Sequence, residues 1–341
     1  MTRLAPGLLL AATVALASIG VAAVETRVIG HPVIEALVVA IVLGMAVRTT
    51  WSLSPSFEPG VRAAAKEVLE VAVVLLGLSV ELPLLLRAGP ALAIGIVLLV
   101  VLGMAASYAL GRTLGLSRTL ALLVAAGNAI CGNSAIVALA PVIDAKREEV
   151  AQSIAFTALI GVLMVLGLPL LLVPLGLSHY QFGVLAGLTV YAVPQVLAAT
   201  FPVSALAGQV GTLVKLVRVL MLGPVVIVFS VSQRARRGGT AAGVSAPSNR
   251  RFTITEFVPW FIVGFLLLAA LRAAGLVPEP LIGPARLLTS ALTVLAMAAL
   301  GLGCDLRILA QAGRAVVLTV IGSLAVLLAL SLSLIHGLGI R

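Results

Sequence analysis

The sequence has few charged side chains. Asp, Glu, Lys and Arg make up 10% of its 341 residues, whereas a soluble domain carries about 25%. Hydrophobic residues make up 61%, and the mean hydropathy is +1.23. Most apolar segments between charge clusters are about 20 residues long, enough to cross a hydrocarbon core of about 30 Å. These features exclude a soluble globular protein and predict a multi-pass membrane protein.

Groups that could carry catalysis are also scarce. The only cysteines, Cys131 and Cys304, are far apart in apolar surroundings, and His31, His179 and His336 fall at predicted span ends or in loops. No cysteine spacing is typical of zinc, haem or redox sites, and we find no carboxylate pair at a working spacing and no phosphate-binding glycine loop. We therefore expect no enzyme activity and no cofactor.

Eleven candidate spans can be placed along one transmembrane domain covering residues 1–341. The first could instead be a cleaved signal peptide, because Arg3 precedes an apolar run and a small-residue site. That alternative leaves ten spans. The candidate spans are 4–24, 31–50, 67–86, 90–111, 119–143, 150–176, 182–200, 207–232, 255–275, 285–304 and 313–337.

The net charge of +10 is explained by membrane topology rather than by nucleic-acid binding. Most Lys and Arg residues outside the spans fall on the side of the N-terminus, including those of a basic loop at 233–252. Positive residues are enriched in cytoplasmic loops. We therefore predict a bacterial inner-membrane protein with a cytoplasmic N-terminus, a cytoplasmic basic loop and a periplasmic C-terminus.

A short pattern occurs twice. Leu-Gly-Leu-Ser-Val-Glu-Leu at 76–82, with Ala-Gly at 88–89, is echoed by Leu-Gly-Leu-Gly-Cys-Asp-Leu at 300–306, with Ala-Gly at 312–313. The two copies would end spans of opposite direction, as in the inverted repeats of secondary transporters. Chance remains an alternative in a chain so rich in leucine and glycine. The offset of seven spans does not fit two five-span repeats.

The fifth predicted span contains an unusual polar segment. Gly127, Asn128, Gly132, Asn133 and Ser134 crowd together there, although glycine and asparagine are poor residues for a continuous helix. Non-helical backbone at membrane depth survives only where protein or a water-filled cavity satisfies it. We predict an interruption, with a half-helix starting near Asn133 whose amide end attracts an anion. Small residues for close helix packing are the alternative.

The seventh span contains a second candidate interruption. Pro194 removes a backbone hydrogen bond, and Gln195 beside it supplies a donor and an acceptor. We predict that Gln195 and Tyr191 face the first interruption. A simple proline kink is the alternative.

Two cations lie inside the eighth span. Buried cations are costly in a membrane and face a cavity or a partner. Lys215 is near enough to the span's start to reach the headgroups instead, whereas Arg218 is deeper and its fork suits an oxyanion. We predict that Arg218, with Lys215, balances the charge of a bound anion.

These motifs resemble those of the sulfate exporter family of bacterial inner-membrane proteins (YeiH type), and the resemblance covers about residues 30–337. It is carried by Ile-Cys-Gly-Asn-Ser-Ala-Ile at 130–136, Ala-Pro-Val-Ile at 140–143, Gln-Phe-Gly at 181–183, Gln-Val-Leu-Ala-Ala at 195–199 and Val-Lys-Leu-Val-Arg-Val-Leu-Met at 214–221. The Leu-Gly-Leu segments at 76 and 300 also fit. The resemblance implies anion export and a relation to the bile-acid-symporter or sodium–proton-antiporter fold, with crossed discontinuous helices.

The chain departs from that family at 191–195. Members usually have a histidine and an acid before the glutamine, whereas this chain has Tyr-Ala-Val-Pro-Gln. If the titratable pair carries proton coupling in relatives, this protein uses another coupling or another substrate.

We therefore predict an all-α polytopic membrane protein of 10–11 helices, with inverted repeats and discontinuous helices crossing near the midplane. We expect it to export a small anion, such as sulfate or an organosulfonate, by alternating access. Intramembrane acids are scarce, which favours an anion, and Na⁺ or H⁺ coupling stays open. A cation antiporter of the same fold and a non-transporting scaffold or receptor are the alternatives, and a homodimer is left open. The predicted site comprises Asn128, Cys131, Gly132, Asn133, Ser134, Tyr191, Gln195, Lys215 and Arg218.

Overall fold

The computed structural model describes residues 4–29, 36–51, 53–79, 89–236, 260–305, 307 and 314–340, and this part of the chain contains helices and no strand. Its α-helices are α1 (Ala5–Ile29), α2 (Ala36–Thr50), α3 (Glu58–Ala63), α4 (Leu69–Leu76), α5 (Gly89–Thr113), α6 (Arg118–Ala126), α7 (Asn133–Leu139), α8 (Arg147–Gly167), α9 (His179–Thr189), α10 (Val193–Thr200), α11 (Ala205–Leu220), α12 (Leu222–Arg236), α13 (Trp260–Ala273), α14 (Glu279–Leu302) and α15 (Arg314–Gly337).

Within the described residues, 6 helical stretches are long and apolar enough to cross a membrane. They correspond to α1, α5, α8, α11 with α12, α14 and α15. Shorter apolar helices lie at Ala36–Thr50, Arg118–Cys131 and Trp260–Ala273. Each of the eleven predicted spans contains helix among the residues that the structure describes, and the protein is an all-α, multi-pass membrane protein.

The boundaries differ from the prediction in two places. The third span starts at Glu58, because a π-helical turn over Ala64–Val68 carries the helix past Lys66 and Glu67 into α4. The eighth span is divided at Met221, which separates α11 from α12. Residues 237–252 of the predicted basic loop lie outside the described residues.

The sequence echo can be followed only in part. Leu76 ends α4 and is followed by a 3-10 turn over Gly77–Ser79, and Leu302 ends α14. The rest of each copy, at 80–88 and at 306 and 308–313, lies outside the described residues. The inverted repeat stays a prediction.

The helices pack as two groups. The first group comprises α1 to α4, α13 and α14, and the second comprises α5 to α12 and α15. Glycine permits close packing in both. In the first, a Cβ on Gly44 of α2 would lie 3.0 Å from the Cα of Gly301 in α14; in the second, a Cβ on Gly187 of α9 would lie 2.6 Å from the carbonyl oxygen of Gly211 in α11.

The two groups contact each other where α8 and α10 of the second group meet α2 and α14 of the first. The helix α1 belongs to the first group and buries Ala11, Val14 and Ala15. The boundary between the groups is the setting of the candidate site.

Candidate functional site

The first interruption, residues 127–132, lies where the sequence predicts it. After α6, Gly127–Cys131 form a π-helical turn, and Gly132 then adopts φ 65° and ψ −126°. Side chains disfavour that conformation, so a glycine is required there. The helix α7 starts at Asn133 with Gly132 as its N-cap. The half-helix therefore starts where the sequence predicts it, with Gly132 in the cap position.

The second interruption, residues 190–192, precedes the proline. The helix α9 ends at Thr189, Val190 and Ala192 are extended, and α10 starts at Val193. Pro194 is thus in the first turn of α10, where no backbone N–H is needed. The Oε1 atom of Gln195 accepts a hydrogen bond from the Ala192 N–H at 3.1 Å. Gln195 therefore caps the start of α10.

Arg218 of α11 joins the two interruptions. Its side chain is fully buried. On the first interruption, its Nε atom donates to the carbonyl of Ala129 at 2.7 Å and its Nη2 atom donates to that of Asn128. On the second, Nη1 donates to Leu188 at 2.5 Å and lies 3.4 Å from the carbonyl oxygens of Gly187 and Val190. Because a helix end leaves its last carbonyls without partners, Arg218 satisfies two such ends at once.

Lys215 supports the same region from the same face of α11, since residues three apart on a helix are neighbours. It is fully buried, and its Nζ atom donates to the carbonyl of Ile130 at 2.6 Å. The snorkelling alternative is not what the structure shows. In this structure all three guanidinium nitrogens of Arg218 face carbonyl oxygens, and its binding of an oxyanion stays a prediction.

Two polar side chains beside Arg218 lack partners. Both the Nδ2 and the Oδ1 atoms of Asn128 and the hydroxyl of Tyr191 are buried without a hydrogen bond, and each residue is 1% exposed. Buried polar groups are normally paired with protein or ordered water. Asn128 belongs to the first interruption and Tyr191 to the second. They are candidates for contact with a bound ligand.

The other predicted residues lie around the first interruption. Cys131 is buried, whereas Asn133 and Ser134 are exposed. The Thr157 hydroxyl of α8 donates to the Oδ1 atom of Asn133 at 2.7 Å. A Cβ on Gly132 would lie 3.3 Å from the Cβ of Tyr191, so the two interruptions are in close contact. The structure therefore brings the residues of the predicted site into one region.

Sequence reasoning missed two residues of α8 that shape the site. Thr157 holds Asn133, and Gly161 leaves room for Gln195, because a Cβ on Gly161 would contact the amide of Gln195. Neither residue stands out in a helix with many small residues. Their roles depend on contacts between helices.

The Lys, Arg, Asp and Glu side chains buried in the region are all basic. Lys215 and Arg218 are buried, and no carboxylate is buried among the described residues. The described part of the chain also contains no group of three or more His, Cys, Asp or Glu that could hold a metal ion. The described core thus carries positive side-chain charge without an acidic partner.

These features define an all-α multi-pass membrane protein with two interrupted helices tied together by buried cations. A family model described as conserved hypothetical protein 698 matches residues 6–320. The chain belongs to this family. No solved structure matches it.

The relatives are membrane proteins by name. A UPF0324 membrane protein of Bradyrhizobium diazoefficiens is 50% identical over 337 residues, covering 98% of this chain and 94% of the relative. One from Brucella melitensis is 50% identical over 335 residues, covering 98% and 91%. A more distant one from Bacillus cereus is 34% identical over 305 residues, covering 89% and 87%. Similarity thus extends over nearly the whole of each chain.

Proposed function

We propose that this protein is a secondary transporter that moves a small anion across the bacterial inner membrane by alternating access. One observation carries the proposal: two buried cations, Lys215 and Arg218, lie beside the unpartnered amide of Asn128 and hydroxyl of Tyr191, and no carboxylate is buried in the described part of the chain. Ionisable residues inside a membrane mark transport pathways. A buried donor without a partner, beside positive charge, suits an anion.

The charge balance supports an anion over a cation. At each interruption a carbonyl end of about −0.5 of an elementary charge meets the amide end of the next helix, of about +0.5, so the helix ends add little net charge. Arg218 stays protonated at neutral pH, and no buried carboxylate among the described residues balances its charge. The carbonyls that could otherwise bind sodium already accept hydrogen bonds from these two side chains. The core thus favours a negatively charged ligand.

Arg218 acts on the substrate mainly through charge in this arrangement. Its nitrogens are occupied by carbonyl oxygens, so direct contact falls to Asn128 and Tyr191. The helix α7 has only seven residues, and its amide end is therefore a minor contribution beside the full charge of Arg218. Cys131, Gly132, Ser134 and Gln195 shape the region.

Alternating access has a structural basis in the two helix groups. Transporters commonly move one bundle against another around a fixed site. The first interruption belongs to the second group, and Asn133 lies next to the residues of α14 that line a shared cavity. Movement of the first group relative to the second would change access to Asn133. The N-terminus is proposed to be cytoplasmic.

The substrate proposed is sulfate or a small organosulfonate. It follows from the resemblance to the sulfate exporter family and from the size and charge of the region. This chain lacks the histidine–acid pair that members of that family usually have at the positions of 191–195. We therefore propose that the coupling of its transport to an ion differs from theirs. The rival function is exchange of sodium ions or protons by a cation antiporter.

A ligand screen tests the proposal. Purified protein is heated in detergent with sulfate, sulfite, ethanesulfonate or acetate as sodium salts, and with chloride salts of sodium, potassium and choline at matched ionic strength. A bound ligand raises the unfolding temperature by mass action. We expect stabilisation by at least one oxyanion in the sulfur series. Stabilisation by sodium in every salt, with no dependence on the anion, would instead support the cation antiporter.

A further inference from the structure

A cavity of about 260 Å³ opens beside the first interruption. Its walls come from α2, the loop before α3, α3 itself and the end of α14, all in the first helix group. Asn133 of the second group lines it as well. We call it the arginine cavity, because Arg48 and Arg62 line it. It lies at the boundary between the two groups.

The charges of the arginine cavity do not cancel. Glu58 forms an ion pair with Arg48, with 3.8 Å between Nη2 and Oε1. Arg62 also lines the cavity and forms no ion pair with a carboxylate of the described residues. Among the lining residues, the pair Arg48–Glu58 is neutral and Arg62 is left over. The cavity therefore has a net positive charge.

The inner wall of the cavity reaches the candidate site. Asn133 is exposed there, fixed by its hydrogen bond from Thr157. Gly303 and Cys304, just after α14, line the same space. A solute in the cavity thus meets Arg62 and the amide of Asn133, the first residue after the interruption.

We propose that the arginine cavity is the entrance by which small hydrated anions reach the first interruption, with Arg62 as the residue that attracts them. This inference rests on the proposed function, because it concerns the path to the same site. Arg48 and Glu58 form an ion pair in the cavity wall, and Glu58 thereby reduces the cavity's positive charge. Clefts lined by one sign of charge raise the local concentration of the opposite ion.

The volume of the cavity suits a small substrate. A water molecule occupies about 30 Å³ in the liquid, so 260 Å³ holds roughly eight waters. A tetrahedral oxyanion or a two-carbon sulfonate fits with part of its hydration shell. Drug-sized ligands use pockets of about 300–1,000 Å³. The cavity therefore has room for a small anion.

The native Cys304 in the cavity wall provides a reporter. Purified protein in detergent is treated with methanethiosulfonate reagents bearing either a sulfonate or a quaternary ammonium group. Modification of Cys304 is followed over time by peptide mass spectrometry, which separates it from Cys131. We expect faster reaction with the sulfonate reagent than with the ammonium reagent.

Three variants test the origin of that preference. Arg62→Gln should lower the sulfonate-to-ammonium rate ratio by about fivefold, as expected for one charge acting within a few ångströms of a wet site. Glu58→Gln should raise the ratio, because it leaves Arg48 uncompensated. Lys66→Gln is the matched control, since Lys66 is exposed on the following turn but does not line the cavity, and it should leave the ratio nearly unchanged.

The outcomes separate this inference from the proposed function. A ratio that Arg62→Gln and Lys66→Gln lower equally, or a wild type that shows no preference for the sulfonate reagent, would overturn the entrance. If the ratio responds as expected while no anion stabilises the protein, the cavity attracts anions but the proposed function fails. If an anion binds with the same association rate in wild type and Arg62→Gln, the function stands and the entrance is wrong.

Discussion

The two interruptions break a helix with different backbone conformations. The first uses a π-helical turn and Gly132 in a left-handed conformation, and it leaves Asn133 exposed to the arginine cavity. The second uses extended residues and is closed by Gln195, which is 4% exposed and caps its own helix. The carbonyl ends of both are bonded to Arg218.

The difference assigns separate tasks to the two segments. The residues of the first interruption are buried, but Asn133, which follows them, is exposed and can meet a solute directly. The second is internally satisfied except for the Tyr191 hydroxyl. Substitutions in the shared Arg218 contact should therefore damage both, whereas substitutions in only one should separate stability from ligand binding.

The largest expected effect is that of Arg218→Ala. It strands several buried carbonyls, each costing about 1–3 kcal/mol, so the free energy of unfolding should fall by at least about 3 kcal/mol. Arg112→Ala is the control, because Arg112 is exposed and donates to one carbonyl, that of Leu116, at 2.6 Å. Thermal unfolding in detergent measures both. Equal small losses would show that the two interruptions are not held by Arg218.

The next effect is that of Gly132→Ala, which acts on the first interruption alone. Alanine is strained by about 1–3 kcal/mol at this backbone conformation, and its Cβ would lie close to Tyr191. We expect a matching loss of stability. Gly167→Ala is the control, because Gly167 ends α8 with ordinary helical dihedrals and open space around it. A stable Gly132→Ala variant would contradict the left-handed turn.

Tyr191→Phe should have the smallest effect on stability. The hydroxyl has no hydrogen-bond partner, so its removal should change the free energy of unfolding by less than about 0.5 kcal/mol or raise it. Its removal should nevertheless weaken anion binding severalfold, which the anion-dependent rise in unfolding temperature measures. Tyr108→Phe, at a half-buried tyrosine away from the interruptions, is the comparison. Unchanged anion affinity would remove Tyr191 from the site.

Much of the fold follows from local sequence. Apolar runs between charge clusters located the helices, and the crowding of glycine and asparagine at 127–134 located the first interruption. Those signals are local because helix formation and membrane burial depend on neighbouring residues. The proline at 194 indicated the second interruption, but sequence alone placed the kink at the proline instead of before it.

The contacts of the site could not be read from the sequence. Arg218 lies about 90 positions from the carbonyls of Asn128 and Ala129, and its partners depend on how α11 packs against α6 and α9. A buried arginine looks the same in sequence whether it binds an anion or caps a helix. Arg62 likewise resembles an ordinary topogenic loop charge in the sequence, and only the packing of α3 near the end of α14 places it in the cavity wall.

Anion uptake by wild type and Asn133→Asp tests the central claim most directly. Aspartate keeps an oxygen for the Thr157 hydroxyl and is exposed, so stability should be nearly unchanged, but it places a negative charge where the cavity meets the first interruption. In proteoliposomes loaded with unlabelled sulfate, we expect wild type to exchange labelled sulfate and Asn133→Asp to do so at least about tenfold more slowly, equivalent to about 1.4 kcal/mol. Equal exchange by both proteins, or none by wild type with any small oxyanion, would contradict an anion site at the first interruption.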